Sequence, residues 1–411
     1  MRFLCSTFGS SGDVFPMLGL ALELKRRGHR VAFATNGHYA ALAGRHGVEF
    51  EALGGEDEFR AAIEHPDLWD PRRSFRHIYG CFRPQLRRQY DWFAAAQAEG
   101  PIVGITNCFG LGALLAQEKL GFPLVTLHLQ PAAIWSRIAP PTLPGLVGPR
   151  WLRSLIYDLA ERLVLDPVVM PDLDAWRLEL DLPRIRRISR YWHSPRGVLC
   201  LFPEWFAKPQ ADWPQPLMQT DFPLWNDGSD QDLPQALQAF LDGGAAPIAF
   251  TPGSTNVQAA RFFAAAVDAC RRLGRRGILL TEFPEQLPSP LPAGLIHVPY
   301  VPLDRLLPRC SAFVHHGGIG SVSQGLKAGL PQVLMPMAHD QFDNAARLAT
   351  MQVGVSLTVR RFEGEALATL LHRLTESDET REALPRIARR LESPRGLEDA
   401  ARALEDRFAA G

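Results

Sequence analysis

One local pattern occurs twice in this 411-residue chain: an apolar run, a glycine-bearing loop, then a segment of helical periodicity. The first copy reads "RFLCSTF", "GSSGDVFP", "MLGLALELKRRG"; the second reads "PIAFTPGST" and "NVQAARFFAAAVDACRRLG". Each copy goes on alternating. "HRVAFAT", "HYAALAGRHG" and "VEFEAL" follow the first, with "PIVGITN", "LGALLAQEKLG" and "FPLVTLHL" further on. "GILLTEF", "LIHVPYV", "AFVHH", "GSVSQGLKAG", "PQVLMP", "DQFDNAARLATM" and "GVSLTV" follow the second. Apolar strands that alternate with helices need a parallel sheet covered on both faces. The expected fold class is therefore α/β, with two Rossmann-like domains whose parallel sheets face a central cleft. Ligands of such sheets bind beyond the carboxyl ends of the strands.

The expected division is an N-terminal domain over 1–225, a linker over 226–245 and a C-terminal domain over 246–395. The linker signal is the polar, turn-rich "FPLWNDGSDQDLPQ" (Phe222–Gln235) at that boundary. Residues 131–215 are rich in Pro, Trp and Arg and read as a helical insertion in the first domain, shaping a pocket. Residues 396–411 read as a closing amphipathic helix that packs back on the N-terminal domain.

Lys plus Arg and Asp plus Glu both number 44, so the formal net charge is zero. That removes the electrostatic footprint of a nucleic-acid binder. It leaves room for a local basic patch, "RIRRISR" (Arg184–Arg190), read as a solvated face or as a contact with a membrane or partner. No apolar run approaches a membrane span. The opening "MRFLCSTF" reads as a strand from the second residue and not as a signal peptide, so a cytoplasmic location is expected. Cys5, Cys81, Cys108, Cys200, Cys270 and Cys310 are scattered without a C-x-x-C pair and read as reduced core residues.

The densest chemistry lies in "HHGGIGSVSQGLKAGLPQVLMPMAHDQFDN" (His315–Asn344). Gly317, Gly318 and Gly320 precede a helix start, where free N–H groups and the helix dipole favour an anion. His316 is placed to donate to the same anion. Ser321 is a cap or a phosphate ligand. The pattern is not a Walker motif, and it does not complete G-x-G-x-x-G because Ser323 stands at the last position. In "TPGST", Ser254 and Thr255 repeat the logic at the first strand of this half. Asp340 and Gln341 follow the strand "PQVLMP" and can hydrogen-bond vicinal hydroxyls. Two anion cradles and an acid–amide pair fit a diphosphate with a sugar attached. The bland alternative is a tight turn with a capped helix.

"HHGGIGS", "GLP" (Gly329–Pro331) and "DQ" (Asp340–Gln341) resemble the signature of GT-B glycosyltransferases of the UDP-glycosyltransferase type. A narrower resemblance is to the rhamnosyltransferase B chains of bacterial rhamnolipid synthesis. It is carried by "GDVFPMLGLALELKRRGHRV", "LWDPRRSF", "YWHSPRGVLCLFPEWFAKPQADWPQPL", "GGIG" and "AHDQFDNAARL". The resemblance implies that His316, Gly318, Gly320, Ser321 and Ser254 contact a diphosphate, and Asp340 and Gln341 the donor sugar. It places Tyr300 and Val301 beside the base. It puts Gln324 where plant members carry a ribose-binding Glu, a departure compatible with a deoxyribose donor. In "GDVFP" it puts Asp13 where many members carry a His general base; the alternative is that Asp13 caps a helix starting near Phe15.

The implied activity is inverting, metal-independent transfer of a sugar, foremost L-rhamnose from dTDP-L-rhamnose, to a 3-(3-hydroxyalkanoyloxy)alkanoate hydroxyl. Other readings are a glycosyltransferase for a polyketide, sterol or flavonoid, and a non-catalytic GT-B partner protein. A nicotinamide or flavin enzyme is disfavoured by the missing third Gly. Expected partners are the nucleotide-sugar donor, an amphiphilic acyl acceptor, and an acceptor-synthesising protein or the inner-membrane surface. No cofactor or metal is expected; the one D-x-D, Asp230–Asp232, falls in the linker.

Overall fold

The computed structural model of the protein describes all residues except 71, 144–148, 226, 228–232 and 409–411. The chain divides into two compact units, Met1–Asp227 with Arg395–Gly411, and Gly228–Pro394. The Asp230–Asp232 segment lies outside the described residues.

The first unit holds seven parallel strands: β1 (Arg2–Ser6), β2 (Arg30–Asn36), β3 (Glu49–Gly54), β4 (Val103–Asn107), β5 (Leu124–His128), β6 (Val198–Cys200) and β7 (Leu217–Gln219). Their order is β3-β2-β1-β4-β5-β6-β7. Cys5 of β1 lies opposite Phe33 of β2 and Ile105 of β4. Every residue of β4 and β5 is buried, as expected of strands covered on both faces. The second unit holds β8 (Ile248–Thr251), β9 (Gly277–Leu280), β10 (Leu295–Val298), β11 (Ala312–His315), β12 (Gln332–Leu334) and β13 (Gly354–Ser356), in the order β10-β9-β8-β11-β12-β13.

Both sheets thus run outward in opposite directions from a central pair, β1/β4 in one and β8/β11 in the other. At such a switch point the loops leaving adjacent strands diverge and open a crevice at the carboxyl end. The loops concerned are those after β1 and β4, carrying Asp13 and Cys108, and those after β8 and β11, carrying "TPGST" and "HHGGIGS".

Two boundaries differ from the sequence expectation. The linker is shorter, because Gln235–Asp242 forms a helix whose Leu237 and Leu241 sit in the core with Val298, Leu306 and Phe313. The turn signals before Pro234 mask this short amphipathic stretch. The helical insertion ends before 198, where β6 joins the sheet. The closing helix Gly396–Phe408 belongs to the first unit: Glu405 accepts from Arg27 Nε at 2.9 Å and pairs with His29 Nε2 at 2.8 Å. Among the described residues no helix is long and apolar enough to cross a membrane.

Candidate functional site

In the second unit the site grows from the end of β11. His315 is fully buried, and burial, then His316, pushes its pKa down to about 3. A neutral ring with its proton on Nε2 fits both of its bonds: Nε2 lies 2.9 Å from Gln332 Oε1, and Nδ1 accepts the Gly317 N–H at 3.0 Å. This fixes the turn. Gly317 adopts φ +101°, where an L side chain would be strained. Gly318 then precedes the helix Ile319–Lys327.

His316 lies against two glycine backbones. A Cβ on Gly318 would sit 2.6 Å from its Nε2, and one on Gly253 (φ +104°) would sit 3.2 Å from the same atom. The loops after β8 and β11 therefore meet at this ring. Burial, and behind it His339, pushes the His316 pKa down to about 4, so the imidazole is neutral at physiological pH. A Cβ on Gly320 would meet nothing within 4 Å, so the first turn of the helix is open there. Its early N–H groups have no intrahelical partner. That of Ile319 donates to Asp340 Oδ2 at 3.2 Å; those of Gly320 and Ser321 are the ones this geometry offers to an anion. Ser321 is half-buried, while Ser323 turns inward and donates to the Gly320 carbonyl at 2.9 Å.

Asp340 precedes the helix Gln341–Thr350 and follows His339, whose φ is +59°. Burial pushes the Asp340 pKa up to about 6. Asn344, one helical turn on, is completely buried; its Nδ2 donates to Asp340 Oδ2 at 2.6 Å and to the Gly317 carbonyl at 2.9 Å. One amide thus ties the acidic residue to the glycine turn. Gln341 faces inward: it is 2% exposed, and its Oε1 accepts the N–H groups of Met337 at 2.7 Å and Ala338 at 3.2 Å. Its carboxamide oxygen holds the loop after β12 and is not available to a sugar. Asn256 braces the same loop, with Nδ2 3.5 Å from Met337 Sδ.

The remaining expected residues divide by exposure. Ser254 is exposed and Thr255 half-buried in the turn after β8. Tyr300 is 47% exposed, whereas the Val301 side chain is packed in the core of this unit. Val301 therefore turns no side chain to a ligand. Gln324 is half-buried on the helix after the glycine turn, and its Oε1 has no hydrogen-bond partner among the described residues.

In the first unit, Asp13 lies in the loop-to-helix corner after β1. The helix starts at Ser11, four residues earlier than Phe15, and Ser10 is its N-cap. Asp13 is the third helical residue of a capping box; its Oδ2 accepts the Ser10 N–H at 3.1 Å while the Ser10 side chain accepts the Gly12 N–H at 3.3 Å. The reciprocal bond holds one carboxylate oxygen of Asp13 in place. Gly9 (φ +137°) makes room, as a Cβ there would overlap the Asp13 carboxylate at 2.1 Å. Burial, and then the Asp13 charge, push the Cys108 thiol up to about 12. Cys108 also lines a narrow pocket whose exposed wall is wholly apolar, with Phe75, Tyr79, Phe82, Phe109 and Trp192.

Sequence reasoning missed His315, Gln332, Asn344 and Asn256, which hold the polar site; Cys108, read as a core thiol, packs against the core of the first unit. Asn344 left a usable signal: it stands four residues after Asp340, on the same helix face. Among the described residues no group of three or more His, Cys, Asp or Glu side chains could hold a metal ion.

Comparison with known proteins bears on both units. Residues 3–127 match the glycosyltransferase family 28 N-terminal domain, and residues 278–404 match the C-terminal domain of erythromycin biosynthesis protein CIII-like proteins. The chain is 28% identical to O-mycaminosyltylonolide 6-deoxyallosyltransferase of Streptomyces fradiae, over 99% of this chain and 97% of that one. Its fold is similar to the glycotransferase of kitacinnamycin, with a TM-score of 0.75 at 22% identity over 99% of both chains. It is also similar to the glycosyltransferase VinC in complex with dTDP, with a TM-score of 0.72 at 20% identity over 100% of both. Family matches at both ends, on two parallel sheets that share one switch-point topology, identify the chain as a glycosyltransferase with the GT-B fold.

Proposed function

We propose that the protein transfers a 6-deoxyhexose, foremost L-rhamnose from dTDP-L-rhamnose, with inversion and without a metal, to the hydroxyl of an amphiphilic 3-(3-hydroxyalkanoyloxy)alkanoate. The observation that carries the acceptor class is the apolar pocket beside Cys108 and Asp13. Its aromatic and aliphatic walls match an alkyl chain in chemistry, but its free space of about 10 Å³ holds no more than a water, so side chains must swing aside to admit one; a nearby carboxylate suits the hydroxyl that reacts. The donor reading is supported by the open helix start at Gly320 and Ser321, by a 6-deoxyallosyltransferase among the relatives, and by dTDP in VinC.

In this mechanism Asp13 takes the acceptor's proton as its oxygen bonds to the anomeric carbon from the face opposite the diphosphate. The bond from that carbon to the diphosphate oxygen breaks, and the configuration inverts. The Gly320 and Ser321 N–H groups and the neutral His316 ring donate to the leaving diphosphate, and Ser254 and Thr255 add hydroxyls. Such preorganised donors stabilise developing charge without reorganisation. Asp340 accepts from sugar hydroxyls, Tyr300 flanks the base, and Gln324 faces the ribose. Gln341 acts through the 337–338 backbone.

The test is product mass spectrometry with dTDP-L-rhamnose and a series of β-hydroxyacyl acceptors below their micelle concentrations. Each buried CH₂ contributes about 0.8 kcal/mol, so four more methylenes improve apparent affinity by roughly two decades at most. A flat series contradicts the acyl reading. A second reading, a polyketide, sterol or flavonoid acceptor, is favoured by the tylonolide-glycosylating relative. Turnover of a rigid polycycle in preference to every acyl acceptor would establish it.

A further inference from the structure

The helix Arg150–Ala160 and its π-helical continuation Glu161–Leu165 carry two apolar faces where a surface helix normally carries one. The inner row, Tyr157 and Leu165 with the paired Glu161 between them, is buried, and the Tyr157 ring lies 4.3 Å from that of Trp135. The outer row repeats every four residues: Trp151 is 69% exposed, Leu155 58%, Leu159 51% and Leu163 66%. Val164 and Ile138 widen the strip, and Ile138 shares a shallow depression with Trp151 and Leu155. A contiguous strip of this kind marks an interaction surface, whereas isolated exposed leucines do not.

The charges beside the strip indicate what covers it. The carboxylates here are engaged within the domain: Asp158 with Arg137 at 2.8 Å, Glu161 with the Ser189 N–H at 3.1 Å, and Asp166 with Arg187 at 2.9 Å. Those last two bonds seat the short helix Ile188–Tyr191, and with it "RIRRISR", against the end of the longer helix. Arg162, Arg184, Arg186 and Arg190 are exposed around it. An apolar row with Trp at one end and arginines at the other has the composition of a helix lying in a bilayer interface. We propose that this face docks on the surface of an anionic phospholipid bilayer. The site is independent of the donor and acceptor readings, because a vesicle without either substrate suffices to test it.

The experiment is vesicle co-sedimentation of the full chain with phosphatidylglycerol/phosphatidylcholine or pure phosphatidylcholine vesicles, at low and high salt, with light scattering on the same samples. The variants are L155Q/L159Q/L163Q, which keeps good helix formers, and R184Q/R186Q/R190Q. Circular dichroism and the melting temperature confirm that each is folded. The wild type is expected to sediment with the anionic vesicles and to be released by salt. The leucine variant should bind at least roughly tenfold more weakly. The arginine variant should lose roughly fivefold per residue on anionic vesicles only. Failure of the wild type to sediment overturns the proposal, as does equal binding by folded variants. A dimer that the leucine variant dissolves, without vesicle binding, assigns the face to a second copy and also overturns it.

Discussion

The two sheets share one switch-point topology, yet their carboxyl ends are furnished in opposite ways. At β8/β11 the loops are held by buried amides and imidazoles: His315 with Gln332, Asn344 with Asp340 and Gly317, Gln341 with two backbone N–H groups. At β1/β4 the corner has one capped carboxylate, Asp13, beside a slot of Phe, Tyr, Trp and Cys. A fixed, highly charged ligand such as a diphosphate needs preorganised donors in exact register. An apolar acceptor needs only shape and area. On the proposed reading, one architecture serves two kinds of ligand by changing what its loops carry.

The largest expected effect falls on the sparse side. Asp13→Asn keeps an oxygen for the Ser10 N–H, so the cap and the melting temperature should survive while kcat falls about 10²–10⁴-fold. A variant that retains more than about a third of wild-type turnover would leave Asp13 a capping residue only. On the polar side, His316→Ala should lower kcat by roughly 10²–10³-fold. Gly318→Ala should reproduce part of that loss, because its Cβ would stand 2.6 Å from His316 Nε2. Calorimetry should show weaker dTDP binding in both; unchanged affinity and turnover would make His316 a packing residue.

A smaller effect comes from pH. Asp340 has a pKa raised to about 6 by burial, so it is ionised above that pH and protonated below it. If its carboxylate accepts from the sugar, dTDP-rhamnose affinity should be full above pH 7. It should fall by up to about tenfold per unit below 6. His316, at about 4, stays neutral through that window. Asp340→Asn should flatten the profile; a wild-type profile already flat between pH 5 and 7 would remove Asp340 from sugar binding. The smallest effect is on nucleotide choice. Gln324→Glu should shift preference a few-fold toward UDP-sugars, measured as the ratio of dTDP to UDP affinity, and a wild type that prefers UDP would refute the ribose argument.

This contrast also explains what was legible in the sequence. The glycine turn was readable because backbone at φ +101° and a ring against Gly318 and Gly253 demand glycine at fixed places. Alternation and apolar runs pointed to two parallel sheets, but the strand order within each is legible only in the fold. Gln341 is only half legible, because the same Asp-Gln pair can face a sugar or its own loop; in the fold its Oε1 holds the Met337 and Ala338 N–H groups. Which of the neighbours Tyr300 and Val301 points inward is not legible in the sequence; in the fold Val301 packs in the core and Tyr300 is exposed. The apolar slot left no motif: Phe75, Tyr79, Phe109 and Trp192 come from scattered segments and look like any other core residues. The glycines of the polar site announce themselves by type and spacing, whereas the amides and imidazole that brace it, His315, Gln332 and Asn344, and the walls of the apolar slot are legible only by position.

The central claim, that the donor belongs to the polar loops and the acceptor to the apolar slot, is tested most directly by amide hydrogen exchange with each ligand added separately. With dTDP, protection should rise at Gly317–Ser321 and around Asp340–Asn344 and stay unchanged along Ser74–Leu86. With a β-hydroxyacyl acceptor, protection should rise at Ser74–Leu86 and Cys108–Leu111 and not at the glycine turn. Protection by dTDP at the first set of segments alone supports the account; protection along Ser74–Leu86 with the glycine turn unchanged would contradict it.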